Sequence, residues 1–572
     1  MGTVQRSPLQ PEQSHLTVLL IRSSLMKKHY LIISCLFLVL AGSYLFGMLK
    51  VAGAPGFPLD DSWIHLQFAK NLITGNGFSY NADIPVNGST SPLWTLLLAG
   101  AWGIIPSYFA AAVVLGVLFS VLTCIYSYKI AQTITKENNY PLLAGMLVAV
   151  TPPLAWAALS GMEPPLYAFL ALAGIYFHIT FRGKSDWRQY AATSTFALTA
   201  VARPECLILF PIAVIDNFIT RRLVDDGNKR ELIKKSLLHA AVFLIILIPY
   251  AVFNYTLSGS PVPTSFSAKV GNRGIVDLIA HGNIRNLTII VYYVFQNYHD
   301  LIKSCVENNF ILSLFFIIGF IALLFAPFRE GSSHRSFILP LVLILQPLAM
   351  AVVTPFEGIL IQNQRYITHF MPLLVIIELY GLFTLPDVIR GLFKLSSQKR
   401  GPVSIPGSMS IAVLLLIFIV SFKVQFFARF SDAKPKSLQY AYNVKNINEM
   451  QVRIGKWINE NTDKNAVIAA NDIGAIAFFG NRRIIDTVGL VTPEIIPYLR
   501  KGPDRQKGLL EYLELKRPDY LVIFPNWYPM IAARSDLFEK VYSVRLKDNI
   551  TAGGREMVVY RTIRAGSFQN KP

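Results

Sequence analysis

Long apolar runs recur along this chain, separated by short loops that carry most of its lysines and arginines, and that alternation leaves few ways to fold. In lipid every backbone N–H and C=O must be satisfied internally, so such runs are read as helices. Hydrophobic residues make up 53% of the 572 and charged residues only 15%, against roughly 25% in a soluble domain. The net charge of +19 raises nucleic acid as a partner, but the basic residues sit in loops between apolar runs rather than on one module, so topological charge bias explains them. Cys35, Cys124 and Cys206 lie within apolar runs and Cys305 stands alone in a segment read as a loop, which gives neither a disulfide framework nor a zinc spacing.

Eleven spans are expected: Leu31 to Leu49, Phe109 to Tyr128, Pro141 to Trp156, Leu166 to Phe181, Ala191 to Val201, Cys206 to Phe218, Leu237 to Phe253, Phe310 to Phe325, Phe337 to Val353, Phe370 to Phe383 and Ile411 to Val420. Several fall short of the about 20 residues that cross a bilayer. Leu93 to Ile104, bracketed by Pro92 and Pro106, reads as an interfacial helix. The polar segment 1–28 reads as a cytoplasmic tail, and Met26-Lys27-Lys28 would itself make an ordinary membrane-protein start. With Lys27 and Lys28 inside, the clusters at Arg182 to Arg188, Arg221 to Lys235, Arg329 to Arg335 and Arg390 to Arg400 all fall on the same side.

This order gives a polytopic α-helical membrane protein with a membrane domain over 29–425, whose first outside loop is 50–107, and a second, extracytoplasmic α/β domain over 434–572. The linker SDAKPKS after Phe430 marks the boundary. Beyond it the pattern predicts a helix with Ile454, Trp457 and Ile458 on one face, β-runs at Ala466 to Ala470, Arg483 to Val488 and Tyr520 to Phe524, a turn at Asn471 to Gly474, and a helix around Gly508 to Leu515.

The first outside loop holds the adjacent acids Asp60 and Asp61, followed by an amphipathic pattern through Asp61, Ile64, His65 and Phe68 that places them at headgroup depth. A carboxylate there can take a proton from an attacking sugar hydroxyl, and it can equally cap the helix that follows.

The run DDSWIHLQFAKNLITGNGFSYN and the GSTSPLW that follows it resemble the first extracytoplasmic loop of the GT-C multi-spanning glycosyltransferases, in particular the bacterial arabinofuranosyltransferase and protein-mannosyltransferase-like members. SGMEPPLYAFL, ARPE, PVPTSFSAK, QRYITHFMPLL and NDIGAIAFFGNRRIIDTVGL follow in the same order, so the resemblance spans about residue 50 to 525. It implies inverting transfer from a polyprenyl-phosphate sugar donor to a glycan, glycolipid or protein acceptor on the outer side of the plasma membrane, with an acid of the first loop as base. Asp60 is then the first candidate and Asp61 the second.

The leaving phosphate requires cations, and Lys269 and Arg365, both in outside loops, are the candidate clamps, with Tyr366 beside Arg365. Either cation could instead snorkel to headgroups. Arg203 and Glu205 flank Pro204 and read as a supporting pair. Glu163 positions an acceptor hydroxyl or is a plain exposed loop glutamate, and His65 contacts donor or Asp61 or is a satisfied interfacial histidine. Cys206 after ARPE, and Pro165 after Glu163-Pro164, depart from the family pattern. No cofactor is predicted, because a divalent cation beside Asp60, Asp61 and Glu163 has no further ligand at a recognisable spacing. Trp457, Tyr520, Trp527 and Tyr528 offer aromatic faces to a sugar or form a core. A transporter or flippase of lipid-linked sugars is the competing class; against it the acids cluster outside and no two-half repeat is evident.

Overall fold

The computed structural model describes residues 11–563 except 83, 136–138, 225–228, 271–274, 283, 329–333, 354–358, 398–406 and 502–503. Of the basic residues that set the topology, Arg329, Lys399 and Arg400 lie outside the described residues.

Among the described residues, four helices are long and apolar enough to cross a membrane: Ser23–Ala52, Tyr108–Ile134, Pro164–Phe181 and Lys229–Ser258. The pair Tyr140–Ala149 and Pro152–Leu159, bent by 55°, makes a fifth if it is one span. Pro152 and Pro153 sit at that bend, where proline removes a helix donor and clashes with the preceding turn. Against the expected eleven, the remaining candidates are shorter apolar helices, Pro92–Ile104, Leu312–Leu324, Ile338–Val353 and Phe370–Pro386. The protein is thus a multi-pass membrane protein. Lys229–Ser258 turns Leu237, Leu244, Ile245, Ile248 and Val252 outward, an apolar face for lipid.

Three local expectations change. The first helix begins at Pro11, so the segment read as an irregular tail is helical from there. SDAKPKS is no linker, because it lies inside the continuous helix Gly407–Ile447. Proline is tolerated there where tertiary packing holds the helix: five residues on, Tyr440 is buried and donates to the Leu159 carbonyl at 3.0 Å. Cys305 lies within the helix Arg285–Asn309 rather than in a loop.

Beyond residue 447 the chain forms a five-stranded sheet in the order Arg483–Asp486, Val467–Ala470, Tyr520–Ile523, Glu556–Thr562, Phe538–Arg545, the first three parallel and the last two antiparallel. Alternation along the strands divides its core. Ile468, Ala470 and Val522 pack with Ile454 and Ile458 on one face, whereas Ala469, Leu521 and Ile523 pack with Leu509 and Leu513 on the other. The first of those faces also receives Ile64, Phe68 and Tyr80 from the first loop.

The helix Asp61–Ile73 therefore does not float on the membrane surface as its amphipathic pattern predicts. Ser62, Trp63, Ile64, His65, Leu66, Phe68, Ala69 and Asn71 are all buried, because membrane helices cover one side and the sheet-bearing region covers the other. The contacts are specific. The Tyr80 hydroxyl donates to the Ile473 carbonyl at 2.8 Å, Lys70 donates to the Phe478 carbonyl at 3.0 Å, and the Asn81 amide exchanges two hydrogen bonds with the backbone of Ile484.

Candidate functional site

The two adjacent acids point to different places. Both carboxylate oxygens of Asp60 accept backbone N–H groups, from Gly474 at 2.7 Å and Ala475 at 2.8 Å, at the start of the helix Gly474–Gly480. Asp60 thus caps a helix, but not the one that follows it in sequence. Glycine at 474 is required, since a Cβ there would overlap the Asp60 carbonyl oxygen and stand 2.9 Å from its carboxylate. Burial, then the neighbouring Asp472 carboxylate, push the Asp60 carboxyl well above its usual range despite the two amides.

Asp61 instead faces a cavity lined also by His65, Glu163, Arg203, Glu205, Lys269 and Arg365. Asp60 and Tyr366 stand outside that wall. Arg365, only 4% exposed, donates to Asp61 Oδ2 at 2.8 Å and to the Tyr366 hydroxyl at 3.2 Å. Burial raises the Asp61 carboxyl, but the Arg365 guanidinium and the Lys269 ammonium outweigh it and hold the group below its usual range. Asp61 is consequently ionised at neutral pH.

Glu163, for which an exposed loop position was one of the two expectations, is 1% exposed. It ion-pairs with Arg203 on one oxygen and lies 3.2 Å from His65 Nε2 with the other. Arg203 also meets Glu205 at 3.3 Å and lies over the Tyr366 ring at 4.4 Å, so the expected supporting pair forms part of a larger buried network. Chain geometry explains this. Pro164 opens the helix Pro164–Phe181 and Pro204 ends Ala191–Ala202, which delivers Glu163 and Arg203 to the same end of two packed helices. Burial drives the His65 pKa down to about 3, so the imidazole is neutral and serves as a hydrogen-bonding partner.

No group of three or more metal-ligating side chains occurs among the described residues. Asp60, Asp61 and Glu163 do not converge on one point, because Asp60 is held by backbone amides and Glu163 by Arg203. Of the wall residues that escaped residue-level reasoning, three make or lack notable contacts: Met162, whose sulfur meets Arg365 at 3.5 Å, Ser265, buried with a hydroxyl unpartnered among the described residues, and Leu490, whose carbonyl accepts from Thr264 at 2.8 Å. All three lie in segments that carry the family resemblance, which was the available signal. In the sheet-bearing region Trp457 stacks on Tyr542 at 4.7 Å and Tyr528 bonds Asn471 at 2.5 Å, both structural roles, while Trp527 is about half exposed.

Solved structures match this architecture nearly end to end. The oligosaccharyltransferase of Archaeoglobus fulgidus in the apo form aligns over 93% of this chain and 74% of its own, with TM-score 0.54 and 13% identity. ArnT from Cupriavidus metallidurans, bound to undecaprenyl phosphate, aligns over 92% of this chain and 97% of its own, with TM-score 0.53 and 12% identity. The fold is GT-C. Within that GT-C frame, residues 445–560 match a domain of unknown function, DUF8728. The terminal β-(1→2)-arabinofuranosyltransferase of Mycobacterium tuberculosis (strain ATCC 25618 / H37Rv) is 30% identical over 224 residues, which is 37% of this chain and 34% of that relative. The matched stretch thus spans about a third of the relative's length.

Proposed function

We propose that the protein is a membrane glycosyltransferase that moves a sugar from a polyprenyl-phosphate donor to an acceptor on the outer side of the plasma membrane, with inversion. In this reading the N-terminus is cytoplasmic, the chain crosses eleven times, counting the shorter helices, and the sheet-bearing region is an extracytoplasmic domain. The matched relative's name favours a pentosyl group.

The observation that carries the reading is that Asp61, half-buried, shares a cavity with Lys269, Arg203 and Arg365, while the other two carboxylates of the wall, Glu163 and Glu205, are paired with Arg203. The donor's phosphate would draw Arg365 and Lys269 to itself. Asp61 would then lose its partner and become a better proton acceptor. The acceptor hydroxyl oxygen attacks the anomeric carbon, its proton passes to Asp61, and the bond from that carbon to the phosphate oxygen breaks, releasing polyprenyl phosphate stabilised by the two cations. Asp60, placed first from sequence, is assigned the role of holding the loop, because both its oxygens are occupied.

The test incubates purified protein with a panel of polyprenyl-phosphate pentoses and hexoses and a membrane glycolipid extract, following free polyprenyl phosphate and new glycans by mass spectrometry. Product lost in Asp61→Asn supports the assignment. Movement of labelled lipid-linked sugar across proteoliposomes without turnover of any donor would sink it in favour of a carrier.

A further inference from the structure

A second pocket shares both chain segments that carry the Asp61–Arg365 pair. It is lined by Leu59, two residues before Asp61, and by Gln362 and Asn363, just before Arg365, with Trp156, Lys436 and Asn443 on its other walls. The position is one step from the reacting centre, and its chemistry is different: amides, an indole and one ammonium, with no carboxylate among the lining residues.

The segment that supplies the amides is held under strain. Gln362, Asn363 and Gln364 have φ of 51°, 61° and 64°, three consecutive left-handed residues, none of them glycine. Each costs roughly 1–2 kcal/mol where glycine would cost nothing. The strain is held in place by Ser304 and Asn308, which donate to Gln364 Oε1 at 3.0 and 3.2 Å. Side chains are therefore retained at positions where the backbone alone would prefer none. On the opposite wall, two polar atoms are buried without partners among the described residues: the indole N–H of Trp156, itself 3% exposed, and the side-chain oxygen of Asn443. Buried groups of this kind call for a ligand that both donates and accepts.

We propose that this pocket is the acceptor subsite and that it takes a carbohydrate. Sugar hydroxyls donate and accept as the amides of Gln362, Asn363, Gln439 and Asn443 do. The donor's phosphate already has Lys269 and Arg365 in the first cavity, whereas this pocket offers a largely neutral polar wall, which suits a glycan better than a charged headgroup. The inference rests on the transferase reading.

The test uses the full chain in nanodiscs, with octyl arabinofuranoside and octyl glucopyranoside as probes in saturation-transfer NMR, and an Ala-Ser peptide as competitor. Gln362→Gly and Asn363→Gly remove side chains while relieving the left-handed backbone, so these variants should fold. Asn443→Ala tests the opposite wall. The expected result is sugar-ring signals lost in the variants and an acceptor KM raised about tenfold per lost hydrogen-bonding pair, with donor KM within about twofold of wild type. Sugar signals unchanged in the variants, signals displaced by the peptide, or donor KM rising in parallel would each overturn the assignment. If wild-type protein turns over no donor, the transferase reading fails, and the NMR arm still decides whether the pocket binds sugar.

Discussion

Asp60 and Gly474 are separated by 414 positions in sequence and joined by a hydrogen bond of 2.7 Å. The loop after the first helix and the sheet-bearing region are thereby fixed to each other one residue from the carboxylate that faces the cavity.

Gly474→Ala should destabilise the protein by about 1–3 kcal/mol, since the added methyl overlaps the Asp60 backbone and neither side can withdraw. Asp60→Ala should cost about 2 kcal/mol through the lost helix cap. Thermal unfolding of both variants checks this. Unchanged melting temperatures would mean that the cap contributes nothing.

Glu163→Gln should cost about 1–3 kcal/mol, because the buried Arg203 loses one carboxylate and keeps only Glu205 at 3.3 Å. Replacing both members, Glu163→Gln with Arg203→Gln, should recover part of that loss. A double-mutant cycle on unfolding midpoints reads the coupling, and strict additivity would argue against the pair.

Arg365→Lys should lower kcat/KM by about a hundredfold, since an ammonium cannot hold Asp61 and the Tyr366 hydroxyl together as the guanidinium does. Lys269→Gln should act mainly on donor KM. Equal effects on both parameters in both variants would dissolve the distinction between the two cations.

The pH dependence of stability follows from His65. Its pKa falls to about 3 in the folded protein from an ordinary 6.5, so the unfolded chain binds the extra proton first. Its contribution to stability is full above pH 6.5 and is lost as the pH falls from 6.5 towards 3, with a slope of at most about 1.4 kcal/mol per pH unit. His65→Gln should flatten that part of the curve. The profile of kcat/KM, which reports the free protein, should show no limb between pH 5 and 8 from either His65 or Asp61, the latter being held below the carboxylate range by Arg365 and Lys269. A limb near 6.5 that disappears in His65→Gln would contradict a neutral imidazole.

The membrane class, the first loop and the cations of the cavity were legible in the chain, because apolar runs and short motifs carry them locally. Which of the two acids faces the cavity was not. Adjacent residues at a helix start diverge by about 100°, and only the distant Gly474–Gly480 helix decides which one is claimed. The burial of Glu163, left open between a site role and an exposed loop, was hidden for a similar reason, since its partner Arg203 lies 40 residues away. The strands Phe538–Arg545 and Glu556–Thr562 were missed, because the first is an edge strand carrying Glu539, Lys540 and Arg545 and the apolar run of the second is confined to Met557 to Tyr560. SDAKPKS misled because composition marks a loop and only packing reveals a helix.

Gly474, Ala475 and Leu490 all belong to the part of the chain that a ribosome delivers after the membrane helices have emerged. A nascent chain halted before Gly474 would leave Asp60 uncapped and one cavity wall missing. Synthesis past Leu490 is thus a condition for a complete cavity wall.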